Sequence, residues 1–196
     1  VFSASVQQAQ WVVLAYLLAV TALVVSVGRL GDITGRRRLL LVGIALFMFA
    51  SLLCGLAPSL ELLIAARALQ GLGAAIMMTL TMAFVGEALP QDRTGSAMGM
   101  LGTMSAVGTA LGPTLGGVLI AWFGWPAIFF INLPLGAVAL ILAYRCLPAD
   151  RRDANVQRIG FDVPGTLLLA LSLAAYALAV TLGRGNLGAL NIALFV

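Results

Sequence analysis

The chain is 196 residues long, 62% hydrophobic and 9% charged, with a mean hydropathy of +1.09. Soluble domains carry about 25% charged residues, so this composition excludes a water-soluble globular fold and predicts an all-α polytopic membrane protein. Eleven arginines against seven acids, with no lysine and no histidine, give a net charge of +4; that excess suits topogenic loops rather than a nucleic-acid surface, and the lack of histidine excludes imidazole catalysis and histidine metal sites.

Spanning helices need about 20 mostly apolar residues. Six segments qualify, at about Gln10–Val27, Leu39–Leu56, Leu60–Phe84, Ser96–Ile120, Ala127–Arg145 and Pro164–Leu182. No charged residue occurs between Arg93 and Arg145, a stretch too long for one helix. "AWFGWP" (Ala121–Pro126) divides it with glycine, proline and two tryptophans suited to the headgroup level. A last apolar segment, Leu187–Val196, is too short to cross. Cys54 and Cys146 fall near opposite faces, so neither a disulfide nor a metal site is expected and both read as structural.

Arginine placement predicts sidedness. Arg29, Arg36, Arg37, Arg38, Arg93, Arg145, Arg151, Arg152 and Arg158 fall on one face, and only Arg184 lies in a loop on the other. The positive-inside rule makes the arginine-bearing face cytoplasmic and puts residue 1 outside, with 28–38 and 145–160 inside. An exported start with no signal peptide leads to the expectation that a helix precedes the chain and that it is a fragment.

In chain order, the first motif is the loop "GRLGDITGRRRLL" (Gly28–Leu40). Its glycines permit a tight turn and Asp32 has arginine partners, which by itself is also what a topogenic arginine loop looks like. The stretch resembles the signature loop of the major facilitator superfamily, Gly-x-Leu-(Ala/Ser/Gly)-Asp-(Arg/Lys)-x-Gly-(Arg/Lys)-(Arg/Lys). Gly28, Leu30, Asp32, Gly35, Arg36 and Arg37 match; Ile33 stands where a basic residue is usual. The resemblance implies the major facilitator fold, makes the first visible span the family's helix 2, and implies a cytoplasmic gating cluster of Gly28, Asp32, Gly35, Arg36 and Arg37. Glu87, in "GEALPQDR", is the matching acid at the end of the family's helix 4.

The third span carries "RALQGLGAA" (Arg67–Ala75). An arginine at the centre of a spanning helix costs about 2.5–3.5 kcal/mol on insertion scales, so it must face protein or water, or else snorkel to the headgroups. Arg67, Gln70, Ala74, Met78 and Thr81 recur at spacings of three and four and share a polar or small face, while Leu63, Leu72, Ile76 and Leu80 look elsewhere. Arg-x-x-Gln-Gly-x-Gly is similar to the helix 4 motif of proton-coupled members of the superfamily. That implies proton coupling for Arg67 and Gln70, with Gly71, Ala74, Met78 and Thr81 as candidate cavity lining. Met77, Met78 and Met104 lie at membrane depth, where plain packing competes with an adaptable pocket.

In the fourth span, Gly108, Gly112 and Gly116 recur every four residues, the spacing of a bare groove for close helix approach. Pro113 frees the carbonyl of Thr109 and predicts a bend. With Gly99 and Gly117 the pattern reads Gly-x8-Gly-x3-Gly-Pro-x2-Gly-Gly, which resembles the helix 5 signature of exporters in the superfamily. "GWPAIFFINLPLG" (Gly124–Gly136) and "FDVPG" (Phe161–Gly165) resemble helices 6 and 7 of the fourteen-helix drug:proton antiporters. The implied organisation is an N-terminal bundle lacking helix 1 over 1–147, a cytoplasmic connector over 148–160, and an extra helix 7 with the start of helix 8 over 161–196.

The expected function is secondary active export of drug-like or cationic lipophilic compounds in exchange for protons, by alternating access in the cell membrane. The partners are a small-molecule substrate, protons and the bilayer, with no nucleic acid; the proton gradient is the energy source, no cofactor is implied, and the transporter is read as monomeric. The alternative is an importer of a small metabolite in the same superfamily. A membrane enzyme is excluded by the lack of histidine and of deep carboxylates. The proton-binding acid is expected in the missing helix 1.

Overall fold

The computed structural model describes residues 6–150 apart from 89, together with 164, 165, 167, 168, 171, 172 and 175. Residues 151–163, most of the expected sixth span and Leu187–Val196 lie outside them. Six helices and no strand are found among the described residues: α1 (Val6–Thr34), α2 (Arg36–Gly55), α3 (Leu60–Ala88), α4 (Gln91–Phe123), α5 (Ala127–Phe130) and α6 (Asn132–Cys146). Hydrocarbon offers the backbone no hydrogen-bond partners, so long apolar runs satisfy their amides internally as helices. Four stretches pass as single membrane-length spans: α2, α3, α4 and the α5–α6 pair. The fifth, α1, bends by 58° between Gln8–Val24 and Ser26–Thr34.

The helix boundaries follow local chemistry. Gly35, at φ +96°, makes the turn between α1 and α2, a conformation that costs glycine little. Ser59 Oγ accepts from the Leu62 N–H at 3.3 Å and so caps α3. Pro90 stands at the N-cap of α4, and Gly124, at φ +80°, ends it. Pro126 opens α5.

One feature differs from the sequence expectation. The sequence permits a tight turn at Gly28, Gly31 and Gly35; α1 runs through the first two to Thr34 and only Gly35 turns the chain. Gly31 is small for packing, since a Cβ there would come 2.8 Å from Leu80 Cδ2. The fourth helix runs as one 33-residue element through Pro113.

α3 lies against both α1 and α2 and carries two apolar clusters. One gathers Val27, Leu39, Leu40, Ile44, Ala75, Ile76 and Leu80 toward the arginine-bearing end. The other gathers Cys54, Ala57, Leu63, Ala66 and Phe129 toward the opposite end. Between them lies a thin polar layer of Ser51 and Gln70, both fully enclosed. Close approach depends on small residues: a Cβ at Gly73 would meet the Phe47 backbone N at 2.7 Å and the Gly43 carbonyl at 2.9 Å. By contrast, no described side chain of α4 is buried. Both cysteines are free, Cys54 buried and Cys146 exposed.

Candidate functional site

Two polar constellations lie on α3. Its rise of about 1.5 Å per residue puts them about 30 Å apart, Arg67 and Gln70 in its second and third turns and Glu87 at its C-terminal end.

Arg67 stands about 10 Å into α3 from Leu60. Its Nε–H donates to the Val12 carbonyl of α1 at 3.2 Å, and its Nη1 donates to Gln70 Oε1 at 2.8 Å. Gln70 Nε2 donates to Ser51 Oγ of α2 at 2.7 Å, and the Ser51 hydroxyl donates to the Phe47 carbonyl at 2.8 Å. Arginine offers only donors, so the Gln70 amide must turn its oxygen toward Arg67 and its nitrogen toward Ser51. The relay therefore has one polarity from end to end. The guanidinium carbon lies 4.6 Å from the Tyr16 ring centroid and 5.7 Å from that of Phe129, so the cation sits between two aromatic faces. No salt bridge to Arg67 occurs among the described residues. Within them the charge is held by dipoles and π-faces.

Each part of this layer has a sequence cause. Spacing of three puts Gln70 beside Arg67 on α3. Ser51 is a small polar residue in an apolar helix, enclosed where α2 crosses α3. Tyr16 and Phe129 come from α1 and α5, far apart in sequence, and no local spacing points to them.

The four positions expected to line a cavity separate. Gly71 is instead buried against α1: a Cβ there would come 2.6 Å from the Tyr16 carbonyl and 2.7 Å from Ala19 Cβ. Ala74 is half-buried, whereas Met78 (53% exposed) and Thr81 face outward. The face bearing Arg67 thus turns from the bundle interior to its surface within about three helical turns. Leu63, Ile76 and Leu80 are core residues. Met77 packs on the core, and Met104 is exposed.

At the other end, Arg36 joins the two acids. Its Nε and Nη2 donate to Asp32 Oδ1 at 3.0 and 2.7 Å, and its Nη1 pairs with Glu87 Oε1. Asp32 ends α1, Arg36 begins α2 and Glu87 ends α3, so one guanidinium ties three helices. The same chain turn brings in Asp150, which follows α6. Arg37 N–H donates to its Oδ1 at 2.8 Å, and Arg38 N–H donates to its Oδ2 at 3.1 Å. The Arg37 guanidinium also lies 5.1 Å from the Tyr144 ring centroid and donates to the Tyr144 carbonyl. Sequence reasoning placed Asp150 only at this membrane face. A contact spanning more than a hundred residues leaves no local spacing to find it by.

The exporter-like pattern on α4 has the opposite character. A Cβ at Gly99, Gly108, Gly112, Gly116 or Gly117 would meet nothing within 4 Å among the described residues. No group of three or more metal-ligating side chains occurs among the described residues.

The sequence matches the family model described as Major Facilitator Superfamily over residues 1–195. It is 39% identical over 185 residues to "Riboflavin transporter RibZ" of Clostridioides difficile (strain 630), covering 94% of this chain and 40% of that protein. It is 40% identical over 175 residues to "Multidrug resistance protein Stp" of Mycobacterium tuberculosis (strain ATCC 25618 / H37Rv), covering 89% and 32%. It is 37% identical over 177 residues to "Methylenomycin A resistance protein" of Streptomyces coelicolor (strain ATCC BAA-471 / A3(2) / M145), covering 90% and 36%. The chain spans about a third to two fifths of the length of these relatives.

Proposed function

Since the chain belongs to the major facilitator superfamily, a family of multi-pass membrane transporters rather than enzymes, we propose that it is the N-terminal bundle of a proton-driven exporter of drug-like or cationic lipophilic compounds. The observation that carries this reading is the bare glycine face of α4. The bundle packs Gly43, Gly55, Gly71, Gly73 and Gly136 tightly, yet it leaves Gly108, Gly112 and Gly116 open along one side of a helix with no buried side chain among the described residues. That is the surface expected of a seam against a second bundle, and the pattern is the one that resembles exporters. The resistance-named relatives favour the same direction of transport.

In this mechanism the two bundles rock about a site near the membrane midplane. Residues 28–38 face the cytoplasm, where Arg36 with Asp32 and Glu87 forms the gate. Arg67 is the coupling residue, and Gln70 fixes its guanidinium through the Ser51 relay. The described acids all stand at or beyond helix ends, so the group that carries the proton belongs to another part of the protein. The substrate would bind to a single transporter between the bundles, with the proton gradient as the energy source and no cofactor.

A second reading, a permease for a small metabolite, is favoured by the likeness to a protein named as a riboflavin transporter. Reconstituted full-length protein decides between them. An exporter moves a cationic dye into inside-out vesicles when their lumen is acidified, and the dye in turn collapses the pH gradient. Facilitated metabolite uptake with no dye movement overturns the export reading.

A further inference from the structure

α2 begins without a side-chain cap of its own, because its N-cap is Gly35. The first amides of a helix have no partner within it and form the positive end of its dipole. Here they are met by the carboxylate of Asp150, whose two oxygens accept from the Arg37 and Arg38 N–H groups. The turn is shaped around that carboxylate. A Cβ at Gly35 would come 2.5 Å from Asp150 Oδ2 and 2.7 Å from its Cγ, and the φ of +96° is strained for any other residue. Glycine is therefore required for two separate reasons. A second tie joins the same two elements, through Arg37 on the ring and carbonyl of Tyr144 near the end of α6.

The amides that Asp150 holds belong to the two residues directly after Arg36. They fix the first turn of α2, and that turn decides where the Arg36 side chain is aimed. We propose that Asp150 is a positioning residue of the charged gate: by capping α2 from the end of α6, it holds Arg36 between Asp32 and Glu87. The inference rests on reading that cluster as a gate. It adds a fourth helix to the cluster and makes the end of α6, where the chain continues toward residues 151–163, part of its support. Movement there would be felt at Arg36 through the first turn of α2.

The test is hydrogen–deuterium exchange by mass spectrometry on the full-length protein in nanodiscs, run beside the dye assay. Asp150→Ala should raise exchange about fivefold in the first turn of α2, the factor expected from losing one cap of average strength. It should also raise exchange at the end of α3 around Glu87, a segment that Asp150 does not touch. Arg36→Ala should reproduce the rise around Glu87 while the capped amides of α2 stay protected. The double variant should show no more exchange around Glu87 than Asp150→Ala alone. Asp150→Asn keeps an acceptor without the charge and should lie between wild type and Asp150→Ala. It also carries the test if the alanine variant does not fold. Wild-type exchange around Glu87 in a folded Asp150 variant overturns the proposal, as does an additive effect with Arg36→Ala. Exchange needs no substrate, so failure of dye export would sink the functional reading while leaving this result to stand by itself.

Discussion

α3 and α4 look alike in sequence, each a long apolar helix with closely spaced glycines, and they meet opposite environments. On α3, Gly71 lies against the Tyr16 carbonyl of α1, and Gly73 lies against the Phe47 and Gly43 backbone of α2. On α4, the positions from Gly99 to Gly117 have nothing within 4 Å among the described residues. Small-residue spacing therefore says that something comes close, without saying whether it is in the same bundle. Gly71 and Gly73 of α3 build the bundle, and the glycines of α4 are the part it does not use for itself.

The largest effect should come from filling the α3 seam. Gly73→Leu puts a branched side chain where even one Cβ would stand 2.7 Å from a backbone nitrogen, and backbone cannot swing aside as a side-chain end can. Overpacking costs about 1–3 kcal/mol or more where the surroundings cannot yield. The folded peak in detergent size-exclusion chromatography should fall by most of its height. A normal peak would mean that α2 and α3 are not in close contact, and the contrast with α4 would collapse.

Arg67→Ala tests what the packed seam holds. Its partners are a carbonyl of α1, the Gln70 amide and two ring faces. Removing it leaves Gln70 Oε1 enclosed without its donor, at a cost of about 1–3 kcal/mol. The protein should still insert, with proton-driven dye movement reduced at least about tenfold, a loss equal to about 1.4 kcal/mol in the barrier. Dye movement that still tracks the pH gradient would refute the coupling role.

Gly112→Leu is the mirror of the Gly73 substitution. No described atom lies within 4 Å of a Cβ there, so the folded peak should stay near wild type while dye transport falls several-fold. If instead the folded peak is lost as completely as for Gly73→Leu, the open face of α4 is a fixed packing surface and not a moving seam.

The helices themselves were legible in the sequence, because lipid leaves an apolar run few alternatives. The first five expected spans coincide with α1, α2, α3, α4 and the α5–α6 pair, the second overrunning α2 by one residue. The end of α1 was not legible. Glycine permits a turn or a close approach equally well, and at Gly28 and Gly31 the helix continues, with Leu80 near Gly31 as the reason for the small residue. Of the charged cluster, the residues alone showed Asp32 among arginines, and Arg36 and Glu87 as its members came only through a family resemblance. Arg67 with Gln70 was visible from helical periodicity. Ser51, Tyr16, Phe129 and Asp150 were not, since each reaches its site across a helix crossing, where no period in the sequence applies.

The smallest predicted effect isolates the polar layer within the α3 seam. Ser51→Ala removes a hydroxyl that accepts from Gln70 Nε2 and donates to the Phe47 carbonyl. The carbonyl keeps its place in the helical ladder, so the main loss is the enclosed amide nitrogen's partner. An average hydrogen bond contributes about 0.5–1.5 kcal/mol, and interhelical ones in membranes average about 0.6. The melting temperature should drop by about 2–4 °C on the scale of soluble domains of this size. The discriminating quantity is its coupling to Arg67. If one polarised relay runs from Arg67 to Phe47, Ser51→Ala and Arg67→Ala should be non-additive in stability, because each disorders the same Gln70 amide. Strict additivity would mean that Gln70 is held from one side alone, and the polar layer would then be two separate contacts that happen to share a residue.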